Sequence, residues 1–492
     1  MPAYLLGLDI GSSSVKACLV DVGTGTPVAS AMVPSTEMEI SSPRTGWAEQ
    51  DPATWWEHLK SATHKVLRAS GAPPKSVAAI GISYQMHGLV IVDERQQVLR
   101  PSIIWCDSRA VGVGEETLRT LGEEYCYTHL LNAPGNFTAM KLKWVKNNEP
   151  GIYDRINKLM LPGDYIAMRL TGEITTTASG LSEGVLWDFG KHTPADGLMK
   201  GAGIESRHLP DLVSTFGTQG KLTAAAASEL GLAEGTPLSY RAGDQPNNAF
   251  ALQVLQPGEV AATAGTSGVI YAVTDKPLAD KKSRVNTFLH VNDSRQEPRL
   301  GVLLCVNGTG IMNRWLRQML GTGVSYDAMN AMAAAVPPGA EQLTVLPFGN
   351  GAERIFENRV LAASIHGLDL VRHQPAHLCR AVQEGVAFAL GYGLDILREM
   401  GVDPRVIRAG NTNMFQSEVF CTTFARVSGA ELQLFNTDGA QGAAIGAGVG
   451  AKHYGSTSEA FSQLRALKRF MPDDKQEVLA AFDRWRRILE IQ

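Results

Sequence analysis

Asp9-Ile10-Gly11-Ser12-Ser13-Ser14-Val15-Lys16 (DIGSSSVK, residues 9–16) places a tight turn of small residues between two apolar runs. The runs, Tyr4–Ile10 and Val15–Val22, are short, and the turn interrupts them at Gly11. Two short apolar segments around a turn of glycine and serine predict a β-hairpin at the start of the chain.

The same pattern returns about half a chain length later. Val260–Ala264 runs into the turn Gly265-Thr266-Ser267-Gly268, and the chain resumes as the apolar run Val269–Val273. The two turns correspond at five positions, and their separation is too long for a solenoid repeat. The match predicts two lobes built from one ancestral unit, with chance similarity as the alternative.

Strand-like and helix-like patterns alternate around these hairpins. Asp51-Pro52 is an N-cap followed by proline at the first helical position, and it predicts a helix that ends at Gly71. Ser76–Ser83 follows as an apolar strand. The second half repeats this order, with a long helix predicted over about Pro375–Met400 and a strand over Val406–Ala409. The alternation predicts an α/β fold.

The domain boundary is predicted near Gln256-Pro257-Gly258, which interrupts the alternation. The prediction is an N-terminal lobe over 1–252, a C-terminal lobe over 253–455 and a helical tail over 456–492. Apolar residues between Val478 and Leu489 recur at helical spacing, which predicts that the tail contains a packing helix.

Composition disfavours several classes of function. The chain has 492 residues and a formal net charge of −4, and its charges are mixed, so we expect no nucleic-acid partner. The sequence contains no run of about 18 apolar residues that would predict a membrane span, and its start lacks a signal-peptide pattern. The six cysteines are far apart, which favours neither zinc nor disulfides and points to a reducing cytoplasm.

The two turns are candidates for phosphate binding. Backbone N–H groups and hydroxyls of Gly11–Ser14 can cradle phosphate oxygens, Asp9 can hold Mg²⁺ through water, and Lys16 can meet a transferred phosphate. An ordinary hairpin turn with a surface lysine explains that segment alone equally well. The second turn at Gly265–Gly268 favours phosphate binding, because two such turns can hold one nucleotide.

Asp244 is a lone carboxylate on a glycine-flanked turn. Phosphoryl transfer to an alcohol needs a carboxylate that accepts the hydroxyl proton as attack proceeds, and Asp244 can be that base. The spacing alone favours a helix N-cap, and the two roles are compatible.

Two further segments can bind a polyol. Gln85-Met86-His87-Gly88 follows the strand Ser76–Ser83, where its amide and imidazole groups can bond sugar hydroxyls, with a purely structural histidine as the alternative. In Trp105-Cys106-Asp107-Ser108-Arg109, an aromatic face, an acid and a base can line a polyol pocket. A surface ion pair between Asp107 and Arg109 is the alternative.

Ala409-Gly410-Asn411-Thr412-Asn413 lies between a predicted strand and a predicted helix. Its glycine permits close approach of a flat ring and its amides can bond the ring edge, although a simple strand-to-helix turn is the alternative. The series Gly439, Gly442 and Gly446 indicates close helix packing. The sequence contains no Walker loop, GxGxxG fingerprint or HExxH motif.

Taken together, these segments resemble the FGGY carbohydrate kinases over nearly the whole chain. The segments that carry the resemblance, in the family's order, are DIGSSSVK (9–16), AEQDP (48–52), QMHG (85–88), LRPSIIWCDSR (99–109), NFTAMKLKWV (136–145), LPGDYIAMRLTGE (161–173), GTSGV (265–269) and RAVQEGVAFAL (380–390). The resemblance implies an α/β protein of two actin-like (ribonuclease H-like) lobes, each a mainly parallel sheet flanked by helices, with ATP and sugar in a cleft between them. It is compatible with a homodimer.

The resemblance also implies roles residue by residue. Asp244 is the general base, and Asp9 is the acid that organises Mg²⁺ through water. The other implied residues form a first phosphate clamp (Gly11, Ser12, Ser13, Ser14, Lys16), a second clamp (Gly265, Thr266), a sugar site (Met86, His87, with Gln245 and Asp107 nearby) and an adenine site (Gly410, Asn413).

The implied activity is ATP-dependent phosphorylation of a sugar, and QMHG favours D-xylulose, giving D-xylulose 5-phosphate. Two segments depart from the family pattern: Gln245-Pro246 separates Asp244 from Asn247, and Ala409-Gly410-Asn411-Thr412 stands where a GGGA adenine turn is usual. The alternatives are a kinase for another ketose or polyol such as ribulose, gluconate or glycerol, a non-catalytic nucleotide and sugar sensor, and an actin-like ATPase.

Overall fold

A computed structural model describes residues 3–473 and 475–491. The chain divides into two compact units: unit 1 contains Met1–Gln253, Phe288–Glu297 and Thr437–Leu464, and unit 2 contains Val254–Thr287, Pro298–Asn436 and Arg465–Gln492. The first division lies beside the predicted boundary. Phe288–Glu297 comes from the predicted lobe 253–455, and Thr437–Leu464 comes from the end of that lobe and the start of the predicted tail 456–492. The units therefore differ from the contiguous lobes that the sequence predicts.

Strands and helices alternate through both units, as predicted. The labelled strands are β1 (Tyr4–Ile10), β2 (Val15–Asp21), β3 (Pro27–Val33), β4 (Val77–Tyr84), β5 (Leu238–Gly243), β6 (Glu259–Ala264), β7 (Gly268–Thr274), β8 (Leu300–Val306), β9 (Val406–Gly410), β10 (Glu431–Phe435) and β11 (Lys468–Phe470). Other strands are Glu49–Gln50, Val90–Val92, Ser102–Ile103, Lys158–Met160, Thr175–Thr177, Trp187–Asp188, Thr193–Pro194, Asp211–Val213, Asn286–Leu289, Thr344–Leu346, Ala352–Glu353, Arg359–Val360 and Ser364–His366.

The helices range from single turns to long core helices. The labelled helices are α1 (Pro52–Ser70), α2 (Val111–Leu121), α3 (Thr138–Asn148), α4 (Pro162–Thr171), α5 (Ala178–Glu183), α6 (Asp196–Ala202), α7 (Ala224–Leu230), α8 (Asp244–Ala251), α9 (Gly310–Leu320), α10 (Tyr326–Ala334), α11 (Pro375–Glu399), α12 (Glu418–Ser428), α13 (Gly439–Gly450) and α14 (Gln476–Glu490). Short helical turns lie at Pro74–Ser76, Glu123–Tyr125, Cys126–Leu130, Pro150–Tyr153, Ser206–His208, Ala340–Gln342, Arg354–Phe356, Asn413–Gln416 and Thr457–Ala460. Among the described residues, no helix is both long and apolar enough to cross a bilayer.

Unit 1 is built on a sheet with the strand order β5-β4-β1-β2-β3. Strands β5, β4 and β1 are parallel, whereas β1 with β2 and β2 with β3 are antiparallel. The DIGSSSVK segment forms the hairpin between β1 and β2, as predicted. The sheet is therefore mixed rather than mainly parallel, because a tight hairpin joins antiparallel strands.

Unit 2 contains the strand run β8-β7-β6-β9-β10-β11, with β6, β9 and β10 parallel and the other pairs antiparallel. The first five strands of this run repeat the arrangement of unit 1. Gly265-Thr266-Ser267 forms the hairpin turn between β6 and β7, at the position that Gly11–Ser14 occupies between β1 and β2. The short sequence match thus corresponds to a duplicated sheet topology.

The glycine-rich helix α13 explains why Thr437–Leu464 belongs to unit 1. The helix packs on β1 and β4 so closely that a Cβ atom added to Gly7 would lie 1.8 Å from the carbonyl oxygen of Ala440. A Cβ atom at Gly81 would lie 2.0 Å from the carbonyl oxygen of Ala443. Glycines on β1 and β4 let the backbones of these strands approach the backbone of α13. The prediction that the glycine-rich helix packs closely is therefore confirmed.

Two predicted helix features are also confirmed. Asp51 caps α1 by accepting a hydrogen bond from Ala53 N (2.9 Å), and the helix ends at Gly71 in the left-handed conformation. The tail helix α14 buries its apolar face in unit 2, where Trp485 Nε1 donates to the carbonyl oxygen of Val345 (3.0 Å). Burial of large apolar side chains of this kind contributes roughly 1.5–3 kcal/mol each.

Candidate active site

The carboxyl ends of β1, β4 and β5 bring together segments that are far apart in sequence. The last residues of the three strands are in register, with Tyr84 beside both Ile10 and Gly243. The turn Gly11–Ser14, the segment Gln85–Gly88 and the helix α8 therefore all start at one edge of the unit 1 sheet. Ligands of open α/β sheets bind beyond this edge.

Asp9 lies one residue before the end of β1, opposite Lys16 on β2 and Ser83 on β4. Removal from water raises its pKa, and the negative charge of Asp438 adds to this shift. The charge of Lys16 and the neighbouring hydroxyl of Ser83 lower the pKa and so act in the opposite direction. Asp9 is thus a carboxylate whose negative charge is only partly compensated by the protein.

Asp244 is the first residue of α8 and follows β5 directly. Gly243 occupies the N-cap position, so the interpretation of Asp244 as the N-cap is wrong. Removal from water and the negative charge of Asp9 raise the pKa of Asp244 to about 7, although hydrogen bonds with Gln245 oppose the shift. A carboxyl group that titrates near neutral pH is matched to the role of general base.

Asp438 is a third acid near this edge that the sequence did not single out. It is the N-cap of α13 and accepts a hydrogen bond from Gln441 N (2.9 Å). The adjacent Gly439 lies so close to Asp9 that a Cβ atom there would be 2.7 Å from Asp9 Oδ2. An aspartate before a glycine-rich helix was visible in the sequence, but its proximity to Asp9 arises only from the packing of α13.

Hydrogen bonds to the carbonyl oxygens of the turn Gly11–Ser14 hold it in place. Gly11 N donates to the carbonyl oxygen of Ser14 (3.0 Å), and Gln50 Nε2 donates to that of Ser12 (2.7 Å). Ser12 Oγ accepts a hydrogen bond from Trp105 Nε1 (3.2 Å). Serine N–H groups in a fixed turn are the type of donor that phosphate oxygens require.

His87 adopts a left-handed backbone conformation (φ 61°) directly after the buried Met86. Its Nδ1 atom lies 2.8 Å from the carbonyl oxygen of Glu183, and a carbonyl only accepts, so Nδ1 carries the proton. In a neutral ring with this tautomer, Nε2 is the acceptor atom. The rings of Phe137 and Phe288 pack on the imidazole, with centroid distances of 4.9 and 5.4 Å.

Glu183 is a buried acid that sequence reasoning missed. Its Oε2 atom lies against Gly243, where an added Cβ atom would be 2.2 Å away. Burial raises the pKa of Glu183 well above its ordinary value, and the negative charge of Asp244 adds to the shift. The raised pKa favours the neutral form of Glu183, because a second negative charge next to Asp244 is unfavourable.

Lys141 is a fully buried lysine that links two of the predicted sugar-site segments. Its Nζ atom donates to the carbonyl oxygens of His87 (2.7 Å) and Ile104 (3.0 Å). Burial lowers its pKa to about 7. The signal was present, since Lys141 lies in NFTAMKLKWV (136–145), but nothing in the spacing showed which carbonyls it would reach.

Asp107 has a structural role. Its side chain is 0% exposed, and its carboxylate accepts hydrogen bonds from Arg109 Nη2 (2.7 Å) and Ala48 N (2.6 Å). Arg109 also pairs with Glu49 (2.7 Å) and lies over the ring of Trp47 (3.7 Å to the centroid). The structure removes Asp107 from the candidate sugar contacts, and the alternative of a surface pair is wrong because the pair is buried.

In unit 2, the turn at Gly265 and Thr266 is bonded to the start of α9. Gly310 N donates to the carbonyl oxygen of Gly265 (3.0 Å), and Ile311 N donates to that of Thr266 (3.1 Å). The hydroxyl of Thr309 lies 3.2 Å from the Thr266 carbonyl oxygen. The second turn is thus fixed by protein contacts to its carbonyl oxygens, like the first.

A cavity of about 180 Å³ lies beside this turn. Its lining includes the predicted residues Gly265, Thr266 and Asn413, the last in a left-handed conformation (φ 54°). Gly410 ends β9 and is not among the lining residues. Further polar lining residues that the sequence did not single out are Asn313, Arg314, Tyr326, Asn330, Gln416 and Ser417.

A larger cavity of about 890 Å³ in unit 2 has a different character. Its walls come from Ile311, Met312, Trp315, Pro347–Gly351 and Val360–Ile365, and its lining contains no charged side chain. Because phosphoryl transfer needs charged groups at the reacting atoms, the larger cavity is not the candidate site.

The donor-rich turns and the near-neutral acid define an enzyme of phosphoryl transfer. Residues 4–251 match the FGGY family of carbohydrate kinases, N-terminal domain, and residues 260–451 match the C-terminal domain of the same family. The chain therefore belongs to the FGGY family of carbohydrate kinases, and it is a phosphotransferase that acts on a sugar. The predicted actin-like, ribonuclease H-like fold of two lobes is confirmed.

Similar proteins span nearly the whole chain. The xylulose kinase of Escherichia coli (strain K12) is 30% identical over 95% of this chain and 94% of that protein. The xylulose kinase of Bacillus subtilis (strain 168) is 29% identical over 99% of this chain and 96% of that protein. The crystal structure of the xylulose kinase from Rhodospirillum rubrum has a TM-score of 0.86 and 27% identity, covering 99% of this chain and 98% of that one.

Proposed function

We propose that this enzyme is an ATP-dependent kinase of D-xylulose, which it converts to D-xylulose 5-phosphate with release of ADP. The proposal rests on Asp244, whose pKa of about 7 suits a base and which lies at the same sheet edge as Gln85–Gly88. The similarity to proteins named xylulose kinase supports the choice of sugar.

Asp244 acts as the general base. It accepts the proton of the terminal hydroxyl of the sugar while the hydroxyl oxygen attacks the γ-phosphorus of ATP. The bond between the γ-phosphorus and the bridging oxygen breaks, and ADP leaves with that oxygen. The proton then passes from Asp244 to solvent, which restores the base for the next cycle.

The sugar binds through Met86 and His87. Met86 supplies a buried apolar wall, and the imidazole of His87 is held by its bond to Glu183. Lys141 fixes the backbone of His87 by donating a hydrogen bond to its carbonyl oxygen. Gln245, beside the base, is a further contact to the sugar.

The nucleotide binds through both turns. Lys16 and the turn Gly11–Ser14 form the first phosphate clamp, and Gly265 with Thr266 forms the second. Asn413, supported by its position in the 180 Å³ cavity, contacts the adenine, with Gly410 close by at the end of β9.

The residues present fit a magnesium ion. Among the described residues, no group of three or more His, Cys, Asp or Glu is arranged to ligate a metal. Asp9 is nevertheless a carboxylate whose negative charge is made unfavourable by burial and by the negative charge of Asp438, so a nearby cation would stabilise it. Such a carboxylate would hold Mg²⁺ through water. When bound, the ion would neutralise charge on the phosphoryl oxygens.

The proposed location is the cytoplasm. All six cysteines lie among the described residues, and none of them forms a disulfide. Reduced cysteines are typical of proteins in a reducing compartment.

The test is release of ADP by the purified protein with ATP and Mg²⁺, measured with D-xylulose, D-ribulose, L-ribulose, gluconate, glycerol or no sugar. We expect strong stimulation by D-xylulose, with D-xylulose 5-phosphate identified by ³¹P NMR. Stimulation by another sugar would overturn the substrate and leave the kinase chemistry intact. ADP release that no sugar stimulates would favour an actin-like ATPase, and no ADP release under any of these conditions would favour a sensor.

A further inference from the structure

A chain of buried polar groups leads from the start of α12 to the wall of the 180 Å³ cavity. Ser417 Oγ caps α12 by accepting a hydrogen bond from Phe420 N (3.2 Å) and lies 2.7 Å from Gln383 Oε1. Gln383 Nε2 in turn lies 2.8 Å from Asn330 Oδ1. Gln383 is 0% exposed, so water does not compete for its amide.

This chain fixes the orientation of the amide of Asn330. A hydroxyl has one hydrogen, and because the amide oxygen Gln383 Oε1 only accepts, the hydrogen of Ser417 is directed to it. Gln383 therefore turns its NH₂ group to Asn330 and occupies the Asn330 carbonyl oxygen. The remaining polar group of Asn330 is its Nδ2 donor, on a residue that lines the cavity.

The same cavity also contains a buried acceptor. Asn313 lines it and is only 5% exposed. Among the described residues, Asn313 Oδ1 has no hydrogen-bond partner. A buried acceptor of this kind is costly to leave unpaired, so it points to a ligand that donates a hydrogen bond.

We propose that Asn330 and Asn313 select adenine over other purines, and that Gln383 is the positioning residue that sets this choice by orienting Asn330. The proposal rests on the proposed function, in which the cavity holds the nucleotide base. Asn330 Nδ2 donates to the ring nitrogen N1 of the base, and Asn313 Oδ1 accepts from the neighbouring exocyclic 6-amino group.

The choice follows from the pattern of donors and acceptors on the purine. Adenine carries an acceptor at N1 and a donor at its 6-amino group, whereas guanine and hypoxanthine carry a donor at N1–H and an acceptor at O6. With guanine or hypoxanthine, O6 would face Asn313 Oδ1 with no hydrogen between the two oxygens, and N1–H would face the Nδ2 donor of Asn330. We expect a discrimination of roughly ten- to hundredfold in affinity.

The test is isothermal titration of the full-length protein with ADP, IDP and GDP in the absence of sugar. IDP is the sharpest probe because it replaces the 6-amino group by oxygen and lacks the 2-amino group of GDP. The wild type is expected to bind ADP at least tenfold more tightly than IDP. The Gln383→Leu variant is expected to lose part of this ratio, because Asn330 can then rotate and accept a hydrogen bond from N1–H of hypoxanthine.

A matched control is Gln433→Leu, which removes a buried glutamine of unit 2 that bonds Arg408 (3.3 Å) and does not line the cavity. It is expected to keep the wild-type ratio. A wild-type ratio near one, or a Gln383→Leu ratio equal to that of the control, would overturn the inference.

A second variant covers the case in which Gln383→Leu fails to fold. Asn330 lies on α10 and is partly exposed, so the chain should tolerate the substitution Asn330→Asp. This variant replaces the Nδ2 donor by a carboxylate oxygen that only accepts, so the affinity for ADP is expected to fall at least tenfold. Unchanged affinity would contradict the inference. Failure of the proposed function is a separate result, since the wild type would then show its ADP preference without sugar-dependent turnover.

Discussion

Units 1 and 2 repeat one strand arrangement but carry different chemistry at the carboxyl ends of their parallel strands. In unit 1, this edge carries the charged and titratable groups Asp9, His87 and Asp244. In unit 2, the corresponding edge carries glycine and amide groups, represented by Gly265 and Asn413. The sheet determines where a ligand can bind, and the residues after the strands determine whether the edge performs proton transfer or only recognition.

The largest expected effect comes from replacing Asp244, the proposed general base in unit 1. Asp244→Asn keeps the size of the side chain and cannot accept the hydroxyl proton, so we expect kcat to fall about 10³-fold with little change in nucleotide affinity. Steady-state kinetics and ADP titration measure the two quantities. The control is Asp211→Asn, an exposed acid of the same unit. Normal turnover by Asp244→Asn would remove Asp244 from its role.

The next effect is a pH dependence expected from the proposed base in unit 1. A base must be deprotonated to act, and the pKa of Asp244 is about 7, so kcat/KM should fall about tenfold per pH unit below pH 7 and level off above it. A pH series from 5 to 9 at saturating ATP measures this. A flat profile across pH 6–8 would show that Asp244 does not titrate in the rate-determining step.

Local sequence was sufficient where the structure depends on neighbouring residues. The hairpins around Gly11–Ser14 and Gly265–Gly268 and the capped start of α1 were predictable, because turns and caps are set by residues a few positions apart. The same holds for the periodic apolar face of α14. These elements already placed most of the candidate site at strand ends.

Features that depend on contacts distant in sequence were not predictable. Asp107 reads as an exposed polar residue, yet Ala48, 59 positions away, donates to its carboxylate and helps to bury it. Asp438 reaches Asp9 only because glycines on β1 and β4 admit α13 at close range. Lys141 and Glu183 likewise gain their roles from tertiary burial, which has no local sequence signature.

A moderate effect on ATP binding is expected from a substitution in the unit 2 turn, and it should leave sugar binding at unit 1 unchanged. Gly265→Ala in unit 2 places a methyl group 3.6 Å from Asn413 Nδ2, an ordinary contact, so the variant should fold. The methyl group narrows the turn that we propose as the second phosphate clamp, and we expect the KM for ATP to rise by up to about tenfold while the KM for sugar stays constant. Gly112→Ala, where an added methyl group meets nothing within 4 Å, is the control. A rise in the sugar KM instead would break the division of roles between the units.

The smallest expected effect concerns Asp438, which contributes charge to the unit 1 edge without being the base. Asparagine caps a helix about as well as aspartate, so Asp438→Asn should leave the stability of α13 and the melting temperature unchanged. The loss of one negative charge near Asp9 should weaken the binding of Mg²⁺, so the Mg²⁺ concentration for half-maximal activity should rise. We expect a rise of about two- to threefold, because solvent screens the attraction between an exposed carboxylate and a nearby cation. A Mg²⁺ titration at fixed ATP, with Asp211→Asn as the control, measures the shift. An unchanged titration would mean that Asp438 serves only as a helix cap and that its negative charge does not contribute to Mg²⁺ binding at Asp9.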